Sequence, residues 1–282
     1  MINVAENIYQ QELSIKDFNR LSELIYCECG INLLPEKKVM VESRLRKRLK
    51  QLNINSFKEY VELIFNDKSR KEIVPLIDSV STNKSEFYRE VEHFNYLYEK
   101  IIPELLQNNY NKRLSFWSAA SSSGEEAYTL AIFLSEYNFN VENFKYEIYA
   151  ADISTDILKK AITAIYPIDK VENVPQNILR KYFLKRETDF TTEVRVIKNI
   201  RNKVKFFRNN LIGDKYNLPS LMDVIFCRNV LIYFDKKTQQ KVIQNLLGNL
   251  NEGGYLIMGH SETLRESDFG IKRETSTVYK KI

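Results

Sequence analysis

Apolar and polar positions follow two different rhythms along the 282 residues of this chain. From about residue 113 onward, short apolar runs alternate with stretches in which apolar residues recur every three or four positions, which predicts alternating strands and helices. Such alternation predicts an α/β fold with a parallel sheet that binds its ligand at the carboxyl ends of the strands. The predicted strands are 114–117, 147–152, 204–207, 223–227 and 255–258.

The first hundred or so residues lack the alternation of strands and helices, and their pattern of apolar positions predicts helices instead. Ser14 followed by Asp17 predicts a helix start. The further predicted helices are 36–52, 56–65, 71–79 and 92–106. The chain is therefore divided into an N-terminal helical domain (1–80), a connector region (81–112) and an α/β domain (113–282).

A shorter alternating pattern interrupts the α/β domain between about residues 166 and 204. Tyr182–Lys185 and Val194–Ile197 alternate like small antiparallel strands. This stretch predicts a small β insertion.

The segment 114–134 joins the first predicted strand to a helix through a loop of small residues, Ser118 to Gly124. Small residues let a ligand approach the backbone, and a helix start offers free N–H groups. The helix begins with Glu125 and Glu126, which would repel a phosphate but suit a cationic or hydroxyl-rich ligand. The glycine motifs for ATP and NAD are absent from the sequence. S-adenosylmethionine fits better, and an ordinary strand-to-helix turn is the alternative.

Asp152 ends the second predicted strand, where an acid grips a ribose diol in dinucleotide-binding and related folds. Polar residues also follow the other predicted strands. Because the carboxyl ends of parallel strands meet at one edge of a sheet, these residues predict a shared ligand site.

The composition predicts a compact globular protein, with 44% hydrophobic and 12% aromatic residues. No apolar run approaches the roughly 18 residues needed to span a bilayer, and no signal-peptide pattern is present, so we expect a cytoplasmic protein. Cys27 and Cys29 could suggest a metal, but no second Cys/His pair exists and only His93 and His260 are available. We therefore expect no metal site and interpret the cysteines as reduced cytosolic thiols.

The net charge of +5 is concentrated in residues 36–50, which hold seven basic and two acidic residues. A solvated helix face is the usual interpretation of such a run. The alternative is docking on an acidic partner, either a protein helix or a nucleic acid. The candidate docking residues are Lys37, Arg44, Arg46, Lys47 and Arg48.

Five ordered motifs resemble the CheR family of chemotaxis-receptor methyltransferases over about residues 14–280. These motifs are STNKSEFYRE (81–90), WSAASSSGEEAY (117–128), AADIS (150–154), FCRNVLIYFD (226–235) and GGYLIMGHSE (253–262). The resemblance implies a Rossmann-like, S-adenosylmethionine-dependent methyltransferase sheet, an N-terminal all-helical domain and a small β insertion.

Membership would imply methyl transfer to glutamate side chains on the cytoplasmic helices of chemoreceptors, giving glutamate methyl esters and S-adenosylhomocysteine. A glutamate has a reference pKa of about 4.3 and is already an anion at neutral pH, so no general base is required. Catalysis would come from alignment of the reacting groups and exclusion of water.

The resemblance also implies residue roles. Glu126, with Glu125 as its alternative, would meet the amino or sulfonium end of the cofactor, and Asp152 the ribose. Arg89 and Tyr233 would orient the substrate carboxylate as the catalytic pair. The remaining cofactor-binding candidates are Asn83, Ser85, Asn210, Leu211, Cys227, Arg228 and Asn229, with Arg89 counted among them as well.

Several alternatives stay open. Arg89 could instead pair with Glu86 or Glu90, and Tyr233 could be a core aromatic. Ala127 stands where the family usually has proline. The insertion lacks the glycines of members that tether a receptor's C-terminal peptide, which weakens the expectation of tethering.

Two other functions compete with receptor methylation. Methylation of RNA or of another protein is the first, although the strand end Cys227–Phe234 lacks the motifs of base methylases and no nucleic-acid partner is expected. The second is a non-catalytic cofactor-binding scaffold on the same fold. No direct membrane insertion is expected in either case.

Overall fold

A computed structural model describes residues 11–107, 113–141, 144–265 and 268–282 of the chain. The chain divides into two compact units. The smaller comprises Met1–Thr82 and Tyr233–Thr238, and the larger comprises Asn83–Ile232 and Gln239–Ile282. The helical unit therefore includes a short segment from far along the chain, which the sequence patterns do not indicate.

The helices of the smaller unit lie where the sequence predicts them, although the two predicted from residues 36 and 71 begin two residues later, at Lys38 and Ile73. The Ser14 hydroxyl accepts a hydrogen bond from the Asp17 N–H (3.0 Å), and the Ser56 hydroxyl accepts one from the Glu59 N–H (3.2 Å). These serine caps satisfy N–H groups that the first helical turn leaves without a partner. The four helices among the described residues of this unit are α1 (Ile15–Cys29), α2 (Lys38–Leu52, preceded by a 3₁₀ turn at Pro35–Lys37), α3 (Phe57–Asn66) and α4 (Ile73–Val80).

The core of this unit also contains a polar network. Glu72 is buried and accepts two hydrogen bonds from the Arg48 guanidinium, both 2.7 Å, and a third from the Tyr60 hydroxyl at 3.0 Å. A buried carboxylate needs such partners, because an unpaired charge away from water is costly. Arg48 therefore links α2 to the turn that precedes α4.

The larger unit is built on a seven-stranded sheet in the order β6-β2-β1-β7-β8-β10-β9. The five strands from β6 to β8 are parallel, as predicted. The last two are antiparallel additions that the sequence patterns did not predict, so the sheet is mixed. The strands are β1 (Arg113–Ser118), β2 (Lys145–Asp152), β6 (Val204–Arg208), β7 (Met222–Cys227), β8 (Leu250–Met258), β9 (Ile271–Arg273) and β10 (Val278–Lys281).

Three further strands form the predicted insertion as a separate antiparallel sheet, ordered β3-β5-β4. They are β3 (Ile165–Pro167), β4 (Phe183–Glu187) and β5 (Thr192–Val196). Thr188 closes the turn between β4 and β5, since its hydroxyl accepts a hydrogen bond from the Thr191 N–H (3.0 Å).

Helices cover the sheet of the larger unit and supply much of its core. Phe116, Ile148, Val224 and Ile257 of the central strands are fully buried in the same apolar cluster as residues of the helix after β1. The helices are α5 (Glu92–Tyr96), continuing through a π-turn (Leu97–Ile101) into α6 (Ile102–Gln107), α7 (Glu125–Asn140), α8 (Thr155–Thr163), α9 (Gln176–Tyr182), α10 (Lys198–Arg201) and α11 (Lys236–Gly248). None of the described helices combines the length and apolarity that crossing a membrane requires.

Candidate functional site

The loop between β1 and α7 is attached to the strands on both sides of β1. The Ala119 N–H donates to the Phe226 carbonyl of β7 (2.8 Å), and the Ser121 N–H donates to the Ala151 carbonyl of β2 (2.7 Å). Gly124 ends the loop with φ +97°, a backbone conformation that residues with a side chain rarely adopt. A Cβ added at this position would also lie only 3.0 Å from the Cβ of Ala161. The loop is therefore held in one conformation before any ligand binds.

Buried polar atoms in and beside this loop have no hydrogen-bond partner among the described residues. The Ser121 and Ser122 hydroxyls and the Asn209 amide nitrogen are in this state. Unsatisfied buried polar groups are costly and are rare in folded proteins. A ligand with hydroxyl and amino groups, such as S-adenosylmethionine, would supply the missing partners, so these residues fit the cofactor expected from the sequence.

Asp152 lies at the end of β2 beside the loop and is buried. Its carboxylate accepts hydrogen bonds from the N–H of Ser122 (2.9 Å) and the N–H of Ser154 (3.0 Å). The Asn209 N–H donates to the Asp152 carbonyl (3.0 Å), which joins the ends of β2 and β6. The backbone thus fixes the orientation of the carboxylate predicted to hold the ribose.

The paired acids at the start of α7 lie in different surroundings. Glu125 is fully buried, and its two carboxylate oxygens accept from the Ser123 hydroxyl at 2.8 and 2.7 Å. Glu126 accepts from the Ser118 hydroxyl (2.7 Å) and from the Arg228 guanidinium (2.9 Å). Glu126, the residue predicted to meet the cofactor, is therefore also one partner of a buried arginine.

Arg228 occupies the centre of a buried charge cluster, which we define as Glu90, Glu126 and Arg228. Its side chain is 2% exposed, and its guanidinium contacts Glu126 at 2.9 Å and Glu90 at 3.1 Å. It also donates to the Arg89 carbonyl (2.6 Å). One guanidinium thereby holds together the end of β7, the start of α7 and the segment before α5.

Glu90 is a member of this cluster that sequence analysis missed. Burial alone would raise its pKa, but the Arg228 guanidinium and the Asn229 amide outweigh it and lower the pKa below the usual glutamate value. The Asn229 amide donates to Glu90 at 3.2 Å. Glu90 is the last residue of the 81–90 motif, so the available signal was an acid at the end of that motif.

Glu262 is a second residue that sequence analysis gave no role. It is buried, and it accepts from the N–H groups of Asn229 (2.8 Å), Leu231 (2.8 Å) and Gly259 (3.0 Å). Burial raises its pKa against the opposing effect of these N–H donors. Glu262 therefore fixes the turn after β7 to the end of β8, including Asn229 at φ +58°.

Cys227 and Leu211 contribute buried walls rather than reactive groups. Cys227 is fully buried, and burial raises the pKa of its thiol well above the usual value, so the thiol stays protonated at neutral pH. All three cysteines of the chain are free thiols. Leu211 is buried, and its carbonyl accepts a hydrogen bond from the Tyr216 hydroxyl (2.7 Å).

Arg89 is half-buried and donates to the Lys84 carbonyl (3.2 Å). Among the described residues, the alternative pairing with Glu86 or Glu90 is not seen, since Glu90 pairs with Arg228 instead. The residues on either side of Arg89 have positive φ, +60° at Tyr88 and +51° at Glu90. Such backbone is strained for these residue types and often occurs at functional sites.

The ten predicted cofactor-binding residues all belong to the larger unit, whereas Tyr233 and the predicted docking residues belong to the smaller one. Tyr233 ends a 3₁₀ turn, and its carbonyl accepts a hydrogen bond from the Asn32 N–H (2.9 Å). In the same segment, Asp235 accepts from the Tyr26 hydroxyl (2.6 Å). These bonds attach the segment to α1 and the loop after it.

The predicted docking residues divide into two groups. Arg44, Arg46 and Arg48 are half-buried and donate within the smaller unit, to the Val80 carbonyl (2.5 Å), the Gln11 carbonyl (3.0 Å) and the Glu72 carboxylate (2.7 Å). Lys37 and Lys47 are exposed. The three arginines therefore make contacts within their own unit, and the two exposed lysines stay candidates for docking.

Comparison with known proteins gives a consistent result over both units. The family description "CheR methyltransferase, SAM binding domain" matches residues 83–279, and "CheR methyltransferase, all-alpha domain" matches residues 16–81. The chain belongs to the CheR methyltransferase family. It is therefore an S-adenosylmethionine-binding methyltransferase, as the motifs predicted.

Individual relatives cover almost the whole chain. A chemotaxis protein methyltransferase of Borreliella burgdorferi is 39% identical over 93% of this chain and 92% of its own length. Proteins of the same description from Escherichia coli (34%, covering 95% of this chain and 91% of the relative) and Klebsiella aerogenes (35%, 96% and 92%) are also similar.

Proposed function

We propose that this protein methylates glutamate side chains on the cytoplasmic helices of chemoreceptors, forming glutamate methyl esters. The main support is the similarity to chemotaxis protein methyltransferases over more than nine-tenths of the chain. The site supports the same conclusion through its chemistry, because its residues suit an acceptor that needs no deprotonation.

The cofactor would be held by residues whose positions are fixed in advance. Asp152 would receive the ribose hydroxyls, and Asn210 and Leu211 would flank the adenine. Glu126, or Glu125 as its alternative, would face the amino or sulfonium end, with Asn83 and Ser85 closing the site. S-adenosylmethionine, when bound, supplies the methyl group and leaves as S-adenosylhomocysteine.

Among the described residues of the larger unit, neither His93 nor Cys227 is suited to deprotonate an acceptor. His93 is buried, and burial followed by the Arg228 charge lowers its pKa to about 4, so it is a poor proton acceptor at neutral pH. The Cys227 thiol is held protonated by burial. A carboxylate acceptor is already an anion and needs neither group.

Arg89 of the larger unit is proposed to orient the substrate carboxylate. Its guanidinium uses one N–H on the Lys84 carbonyl, so further donors of its planar fork remain for a carboxylate. Two exposed lysines, Lys37 in the 3₁₀ turn before α2 and Lys47 within α2, are proposed to attract the acidic receptor helix.

The deciding experiment incubates the protein with receptor-containing membranes and methyl-labelled S-adenosylmethionine. We expect base-labile label, released as methanol, on a receptor band. Base-stable label, or label on RNA, would show that the acceptor is a different one. Tight cofactor binding without label on any receptor fragment would instead indicate a non-catalytic scaffold.

Two variants test the residue roles separately. Asp152→Asn should weaken S-adenosylhomocysteine binding in calorimetry by about 10- to 100-fold, because hydrogen bonds to a charged group contribute about 1.5–3 kcal/mol. Arg89→Ala should reduce receptor labelling strongly, and Arg89→Lys should restore little because a single ammonium lacks the fork. Normal labelling by Arg89→Ala would refute the orienting role.

A further inference from the structure

The chain has two histidines, and the fold brings both of them to one place. The candidate ligand atoms of Glu90, His93 and His260 all lie within 4.8 Å of one another. The two imidazole rings are 5.0 Å apart between centroids. Sequence analysis predicted no metal site because Cys27 and Cys29 have no second Cys/His pair and only two histidines are available. The fold brings those two histidines together beside Glu90, a grouping that the sequence patterns did not indicate.

His93 is oriented in the way that metal-binding histidines usually are. The residue is 4% exposed, and its Nε2 forms a hydrogen bond with the Thr277 hydroxyl (2.7 Å). A partner on one ring nitrogen fixes the imidazole so that the other nitrogen can bind an ion. Thr277 supplies that partner here.

The other nitrogen of His93 lacks a partner among the described residues. Nδ1 is buried without a hydrogen bond and lies 3.5 Å from Glu90 Oε2. When Nε2 carries the ring proton, Nδ1 presents a lone pair towards a carboxylate oxygen. Two electron-rich atoms facing each other at this distance are stabilised by a cation bound between them.

We propose that Glu90, His93 and His260 bind a divalent transition-metal ion such as Zn²⁺. Two imidazole nitrogens and one carboxylate oxygen form a donor set that suits zinc and its neighbours rather than magnesium or calcium. Three protein ligands leave one tetrahedral position for water, as in open zinc sites. His260 is exposed and gives the ion access from solvent.

The neighbouring charges set the character of this site. Glu90 Oε2 also accepts from Arg228 at 3.1 Å, so the ion and the guanidinium share one carboxylate. The positive charge of Arg228 weakens cation binding. The site is therefore an exchangeable one that responds to metal concentration, unlike a closed structural zinc site that is needed for folding.

Calorimetric titration of the metal-free, full-length protein with ZnCl₂ tests the proposal without using the methylation reaction. We expect one site in the wild type and an affinity more than about tenfold lower in His260→Gln, since losing even an outer partner of a metal ligand costs 10–100-fold. His260 is exposed, so this variant should fold normally. Thr277→Val should lower the affinity by at least about tenfold.

The matched control is Cys27→Ser, which removes the exposed thiol of the Cys27–Cys29 pair. It should bind zinc as the wild type does. NMR provides a second measurement. The chain has only two histidines, and the imidazole signals of both should shift when zinc is added. The proposal is overturned if wild-type protein binds no zinc up to about 1 mM, if His260→Gln binds it unchanged, or if Cys27→Ser abolishes binding.

Discussion

Replacing Arg228 with methionine should destabilise the larger unit severely. Arg228 is 2% exposed and is the shared partner of Glu90 and Glu126, whose side chains are each 12% exposed. The substitution keeps much of the side-chain volume but leaves two nearly buried carboxylates next to each other without a counter-charge. Removing one partner of a buried ion pair costs about 3–5 kcal/mol in the free energy of unfolding. For a unit of about 200 residues this corresponds to a fall in Tm of roughly 6–20 °C.

The chain carries its own probe for this measurement. Its single tryptophan, Trp117, is fully buried in β1, so tryptophan fluorescence during urea unfolding reports on the larger unit. The midpoint and slope of that transition give the free energy of unfolding. A separate unfolding of the smaller unit would not alter this reading.

Two controls distinguish the buried cluster from ion pairs in general. Arg113→Met alters an arginine that is 60% exposed and pairs with Glu147. This substitution should lower the free energy of unfolding by no more than about 1 kcal/mol. Adding Glu90→Gln and Glu126→Gln to Arg228→Met should recover a large part of the lost stability, because neutral amides no longer repel. A free energy of unfolding of Arg228→Met within about 1 kcal/mol of the wild-type value would refute this prediction. A triple variant no more stable than Arg228→Met would refute it as well.

Three further predictions follow from the described contacts. Glu262→Ala leaves three backbone N–H donors without an acceptor and should cost about 3 kcal/mol or more in tryptophan-monitored unfolding; a loss below about 1 kcal/mol would contradict this. Hydrogen bonds from Lys280 and Tyr255 lower the pKa of Glu104, so the stability that Glu104 adds over Glu104→Gln should be fully present above the usual pKa of about 4.3 and lost as the pH falls through the lowered value. A stability difference that does not vary with pH would refute it. Charge reversal at exposed Lys37 and Lys47 should slow receptor methylation, most strongly at low salt, whereas an unchanged rate at low salt would argue against docking through these two lysines.

The central strands and most helices could be predicted because their signals are local. Serines at positions 14 and 56 cap helices, and apolar runs form the five parallel strands. The strands β9 and β10 were not predicted because they are short and take their places in the sheet only after the chain has turned back, β10 beside β8 and β9 beside β10. Their residues carry many charges, as in Lys280 and Lys281, which is typical of strands near a sheet edge.

The candidate site could be predicted only in part for a related reason. Asp152 was recognised because a lone acid at a strand end has a known use. Glu90 and Glu262 were missed because their partners, Arg228 and the turn at Asn229, are far away along the chain. A carboxylate that neutralises a buried charge or caps distant N–H groups has no local sequence signature, so such a role is visible only after folding.

The segment Tyr233–Thr238 has a practical consequence for work on isolated domains. The chain leaves the helical unit near Thr82, re-enters it for these six residues and leaves again. A fragment cut after Thr82 would leave the Tyr26 hydroxyl without Asp235 and the Asn32 N–H without the Tyr233 carbonyl. A chimera that exchanges this domain between relatives must therefore transplant two stretches of sequence, and a truncation made at the apparent boundary removes a part of the domain it was meant to isolate.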